Sequence, residues 1–191
     1  MKKIAMLLGI VVLAGCQAVQ QRPLIPGQFF SGSFLNIRAP NSEGWMLLDS
    51  SSQGMAFARR GVSSSESYAA RVFVFALQES KDRDKFVTLI RKLTEENTSP
   101  ERFKSIEYNY EYTEKRGYPC VKVKGVMEDT KAGTPSGQET LKFQPYTLYC
   151  RHPKQQGKGF VIDFSHRGPS LDTTIDAQAE AFIEGVQVPE K

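Results

Sequence analysis

Histidine is the side chain best suited to moving protons near neutral pH, and this chain has two, His152 and His166. Asp163 and Ser165 stand just before His166, so the residue types of a nucleophile, a base and an orienting acid share one short stretch. Their spacing works against that chemistry. On an extended strand Asp163 and Ser165 take one face and His166 the other, whereas a triad needs convergence and a set of oxyanion donors. The chain also lacks a Gly-x-Ser-x-Gly elbow. His152 and His166 could approach each other on neighbouring strands, with Asp163 nearby, but two histidines without a clear third ligand give little support to a zinc site. These residues therefore predict no catalytic group, no metal and no cofactor. The alternative is a pocket near His152, Asp163 and His166 that takes a small molecule or a metal, or works as a hydrolase.

Tyr108, Tyr110 and Tyr112 alternate with Glu107, Asn109 and Glu111, which places three aromatic rings on one face of a strand. Such a stripe can recognise a sugar, a peptide or a protein, or it can simply pack beneath a helix. Both readings stand at this point. Residues 59–67 and 129–139 read as Ser- and Gly-containing loops, the other candidate recognition elements.

Three cysteines remain to be placed. Cys16 closes an N-terminal segment in which Lys2 and Lys3 precede an uncharged, mostly apolar run from Ile4 to Gly15. That run is shorter than the ~20 residues needed to span a bilayer and has the length and flanks of a secretory signal. Leu13-Ala14-Gly15-Cys16 resembles the lipobox of bacterial lipoproteins at every position. The resemblance implies cleavage before Cys16, a diacylglycerol thioether on its sulfur and acylation of the new amine. Two or more acyl chains make a stable anchor. Gln17 stands where inner-membrane lipoproteins carry an Asp retention signal, which implies the periplasmic face of an outer membrane. Export also brings Cys120 and Cys150 into an oxidising compartment. An even pair there predicts a disulfide, and no Cys-x-x-Cys spacing suggests a redox site.

Once residues 1–15 are removed, two lysines and no acids leave with them, and the net charge falls from +4 to about +2. The remaining basic residues are interspersed with acids, which argues against nucleic acid as a partner. The length suits one domain. Residues 16–33, with Pro23, Pro26 and Gly27, read as a lipidated N-terminus and tether, and residues 34–191 as a single globular domain.

The elements that must position these side chains follow from periodicity. Residues 34–38, 45–49 and 54–60 read as short strands, and 68–78 as a central strand covered on both faces, because its apolar run is nearly continuous. Phe86, Leu89, Ile90 and Leu93 recur at helical spacing after Asp82. Strands over 103–114, 118–128, 140–152 and 160–166 follow, then a helix over 172–185. Alternation places Cys120 and Cys150 on faces that neighbouring strands could share, unless Pro145 resets the parity with a bulge. This order, with the opening Ile37-Arg38-Ala39-Pro40 and then Gly44-Trp45, resembles the PsbP/Mog-type fold over residues 34–188. The resemblance implies an α+β protein, an α/β/α sandwich around a mainly antiparallel sheet, and a role in binding or assembly more than catalysis. The sequence reading is thus a membrane-anchored envelope lipoprotein, a non-enzymatic module with an envelope protein as partner.

Overall fold

The computed structural model describes residues 22–78 and 82–190. The signal segment, Cys16 and Gln17 lie outside them. Strands β1 (Arg22–Pro23), β2 (Phe29–Phe30) and β3 (Asn36–Arg38) open the described chain. They are followed by β4 (Met46–Ser51), β5 (Gly54–Arg60) and β6 (Ser67–Ala76), then helix α1 (Arg83–Glu96). Next come β7 (Phe103–Thr113), β8 (Cys120–Thr134), β9 (Gly137–Arg151) and β10 (Lys158–Gly168), then α2 (Ile175–Glu184) and β11 (Val186–Gln187). One eight-stranded antiparallel sheet runs β1-β4-β5-β6-β10-β9-β8-β7, and a small sheet runs β11-β3-β2. This is the expected α+β architecture. Among the described residues no helix is long and apolar enough to cross a membrane.

Strand alternation sorts the core onto two faces. Cys120, Leu148, Cys150, Phe160, Ile162 and Phe164 pack with Phe182 and Ile183 of α2 and with Ile37 of the small sheet. Val121 and Val123, one residue out of phase with Cys120, pack instead with Phe86 and Ile90 of α1. Asp82 starts that helix as its N-cap, its carboxylate accepting from the amides of Asp84 and Lys85.

The parity argument for the cysteines holds. Cys120 lies directly opposite Cys150, with Cα atoms 4.1 Å apart, and the two sulfurs are bonded. Pro145 does not shift the register, since Lys124 faces Tyr146 before it and Met127 faces Phe143 after it. Gly125 accommodates the proline. A Cβ on Gly125 would meet the Tyr108 ring at 2.7 Å and Pro145 Cγ at 3.1 Å, so the ring lies across the glycine toward the proline. Gly125→Ala should therefore overpack this spot and cost about 1–3 kcal/mol in urea denaturation. A neutral result would mean that the Tyr108 ring can swing aside.

The structure corrects several expectations. Residues 129–139 are not a recognition loop: β8 runs to Thr134 and β9 starts at Gly137, with a bulge between Asp129 and Ala132. Gly133 sits within β8, paired with Gln138, while Pro135 and Gly137 make the tight turn, where Gly137 has φ +115°. The other expected loop shortens to residues 61–66, closed by hydrogen bonds from Gly61 N to Glu66 O and from Val62 N to Glu66 Oε2. Strand β6 is central in the sheet but covered on both faces only near its end, where Phe75 packs on the α1 cluster. Tyr68, Ala70 and Val72 are buried, whereas Phe73 is 43% exposed, because α1 lies over β7 and β8 and leaves this side open. The apolar patch in the region read as tether packs on the domain, and the chain is docked from Arg22 onward. β1 pairs with β4, β2 pairs with β3, and Leu24 and Phe30 pack on the core.

Candidate binding site

The residues singled out for acid–base chemistry do not meet. His152 and His166 lie at opposite ends of the β9–β10 pair, where Gly159 faces Arg151 and His166 faces Gln144, roughly 25 Å apart at the rise of a strand. His152 Nδ1 accepts from Lys154 N, and Nε2 bonds the Phe34 carbonyl at 3.2 Å. Asp163 points to the other face of β10 from His166. It is paired with Arg71 at 2.8 Å and accepts from Thr147 Oγ1 at 2.8 Å. None of the three lines any of the four main surface cavities. The shared pocket of the alternative reading is therefore not formed, because strand parity and strand length separate its parts. Among the described residues no group of three or more His, Cys, Asp or Glu is placed to hold a metal.

The tyrosine stripe takes the packing alternative. Tyr108, Tyr110 and Tyr112 lie against the α1 cluster, with the Arg91 guanidinium 4.4 Å from the Tyr110 ring and Arg83 4.8 Å from Tyr112. Tyr108 Oη shares a 3.0 Å hydrogen bond with Thr98 Oγ1. The three rings are partly buried against the α1 cluster.

A groove that the sequence did not single out is better formed. It has a volume of about 470 Å³ and lies between α2 and residues 40–45, lined by Ser42, Trp45, Arg59, Phe164, Gln178 and Phe182. Arg59 dominates its chemistry. β5 alternation aims this side chain toward the α2 side, beside the buried Phe57. The guanidinium carbon lies 4.4 Å from the Tyr68 ring centre and 5.5 Å from that of Trp45, a cation held between aromatic faces. Its Nη atoms donate to Ser42 Oγ at 3.4 Å and to Gln178 Oε1 at 3.3 Å, both neutral and both long. Nε is buried with no partner, and the guanidinium makes no ion pair among the described residues. A planar fork of donors so placed suits a carboxylate.

Polar groups behind the groove hold its walls. Tyr68 Oη donates to Asp172 Oδ2 at 3.0 Å, and Gln178 Nε2 donates to the same oxygen at 2.9 Å. Burial first, then the hydrogen bond to Asp172, pushes the Tyr68 phenol up to about 12. Burial works against the Asp172 carboxylate, but hydrogen bonds from Thr174 and Tyr68 outweigh it and hold the pKa below the ordinary value. Deeper in, the buried His166 reaches Gln144 Oε1 at 2.9 Å and Glu66 Oε1 at 3.0 Å. Gln144 Oε1 also accepts from Asp172 N, so the orientation of this amide is set by backbone. The histidine is a bracing group between Glu66 of the 61–66 loop and Gln144 of β9, which in turn holds Asp172 ahead of α2.

No protein-family model and no curated protein matches the chain. Solved structures similar to it include the following two. One is LpqN of Mycobacterium tuberculosis, described as involved in cell envelope biogenesis, with a TM-score of 0.49 and 16% identity over 89% of this chain and 91% of that one. The other is a variant of the protein Mog1, with a TM-score of 0.46 and 11% identity over 88% of this chain and 96% of that one.

Proposed function

We propose that this chain is a lipid-anchored envelope protein, held through Cys16 at the periplasmic face of an outer membrane, and that it acts as a non-enzymatic binding module. Its partner is an envelope protein that presents a carboxylate to Arg59. The observation that carries the reading is the state of that arginine, a half-buried cation with one orphaned nitrogen and only neutral hydrogen-bond partners in an open groove. The unpaired Nε leaves the guanidinium short of acceptors, and its two Nη atoms, held only by long bonds to neutral oxygens, are the donors that a ligand carboxylate entering the groove would take up. Lipobox and export signal supply the address, and the rigid sheet supplies the platform.

The test uses the full lipoprotein in intact envelopes, with a photo-crosslinking residue at Ala177 on the exposed groove wall. A reproducible protein adduct should form, and it should fall about tenfold in Arg59→Met, the loss expected when a charged hydrogen bond worth ~1.5 kcal/mol or more is removed. Methionine keeps the packing against Trp45 and Tyr68, so thermal melting should change little. An adduct that persists unchanged in Arg59→Met would exclude the groove as the site.

A further inference from the structure

We propose that the turn Ile25–Gln28 and the adjoining Phe29 rest on the lipid surface, so that the domain stands on its β1 edge against the membrane. This inference rests on lipidation of Cys16. Six peptide steps separate Cys16 from Arg22, and a fully extended chain covers at most ~3.6 Å per residue. The β1 end of the sheet therefore lies within roughly 20 Å of the anchored sulfur, whatever path the chain takes.

The surface brought there is apolar and preformed. Pro26 and Gly27 occupy the centre of a tight turn closed by Gln28 N donating to the Ile25 carbonyl at 3.0 Å. Gly27 has φ +68°, which this turn type requires at its third residue. The turn is bolted to the domain by Gly27 N to Pro40 O, Ala39 N to Gln28 O and Leu24 N to Trp45 O. Leu24 and Phe30 point into the core, while Ile25 is 72% and Phe29 52% exposed. The Arg38 guanidinium lies 5.7 Å from the Phe29 ring and donates to the Gly27 carbonyl, a cation placed beside the apolar pair where lipid phosphates would meet it. An apolar tip flanked by a cation is the pattern of an interfacial anchor. Pro40 and Asn41, which hold the turn, also form one wall of the Arg59 groove, so that groove opens close to the bilayer.

Strand β7 provides the internal control. It forms the opposite edge of the sheet from β1, roughly 34 Å away at the spacing of adjacent strands. It carries its own exposed apolar residue, Ile106, at 40%. The experiment places the mature lipoprotein in vesicles of phosphatidylethanolamine with a minority of phosphatidylglycerol, including a lipid with a photoactivatable diazirine near its headgroup. Lipid adducts should concentrate on the peptide containing residues 23–30. They should fall about tenfold in the Ile25→Ser, Phe29→Ser double variant, which removes most of the apolar area, and stay unchanged in Ile106→Ser. Adducts spread evenly over the domain, or unaffected by the double variant, would overturn the docking while leaving the anchor intact. Intact mass without a diacylglyceryl group on Cys16 would overturn both the docking and the anchored reading.

Discussion

Asp129→Asn is expected to destabilise the domain by about 3–5 kcal/mol, the range for removing one partner from a buried ion pair. The Asp129 side chain is wholly buried. It accepts from Arg102 Nε at 2.8 Å and Nη2 at 2.7 Å, and from the Lys131 amide at 3.3 Å. Arg167 Nε also lies 3.0 Å from Oδ2 but is not aligned to donate, so that contact is ionic rather than a hydrogen bond. One carboxylate thus neutralises two guanidinium groups from different parts of the chain. Arg102 brings in the segment after α1, whose carbonyl also takes hydrogen bonds from Thr130 N and Oγ1. Removing the charge would leave two cations facing each other. Arg102 is partly in water, which moves the expected cost toward the lower end of that range.

The pH dependence has a definite sign. Burial opposes ionisation of Asp129, but the Arg102 hydrogen bonds and the charge of Arg167 outweigh it, so its folded pKa lies below the ordinary carboxylate value. A depressed carboxylate contributes stability above its unfolded pKa and loses it as pH falls through the folded value. Urea denaturation should therefore show a large gap between the native protein and Asp129→Asn at pH 7, and a shrinking gap below about pH 4. A gap independent of pH would mean that the cost of the substitution is steric. Glu66 and Asp172 are lowered in the same way, so the native protein as a whole should lose stability on acidification.

The second large effect concerns the Cys120–Cys150 bond. It closes a loop with a sequence separation of 30 residues, for which the chain-entropy relation gives about 3.6 kcal/mol. Both cysteines are fully buried in the core beneath α2, so the Cys120→Ser, Cys150→Ser double variant also buries two hydroxyls in an apolar setting. A loss of about 3.6 kcal/mol should lower the melting temperature by roughly 10 °C for a chain of this size. Melting the oxidised protein, the reduced protein and the double variant under identical conditions checks this. Coincident curves would mean that strand pairing alone holds β8 to β9. The same physics predicts a weaker domain whenever the chain is kept under reducing conditions.

Much of this architecture was readable residue by residue. β5 falls on 54–60 as alternation required, α1 begins after Asp82 as the helical spacing of Phe86, Leu89, Ile90 and Leu93 implied, and the cysteine parity placed the disulfide. Each rests on an interaction between residues a few positions apart, or on the two-residue period of a strand, and those are written locally. The resemblance of Leu13-Ala14-Gly15-Cys16 to a lipobox is local as well, a pattern of four consecutive residues.

Other features depended on which element comes to lie over which. The apolar pair Phe29-Phe30 signals that this segment can pack on the domain, but only the fold decides that Phe30, with Leu24, turns to the core while Phe29 stays exposed. The apolar run of β6 signalled a central strand, but the extent of α1 over the sheet decided that Phe73 faces outward. The alternation of tyrosines on β7 was clear, whereas the meaning of the stripe was set by α1 arriving above it. Arg59 gave no local signal at all, because its orphaned nitrogen is created by Trp45, Tyr68 and Gln178, which are distant in sequence. Local periodicity determined the elements and the faces of this protein. Only tertiary packing decided which faces are covered and which polar groups are left wanting a partner, because burial is a property of long-range neighbours.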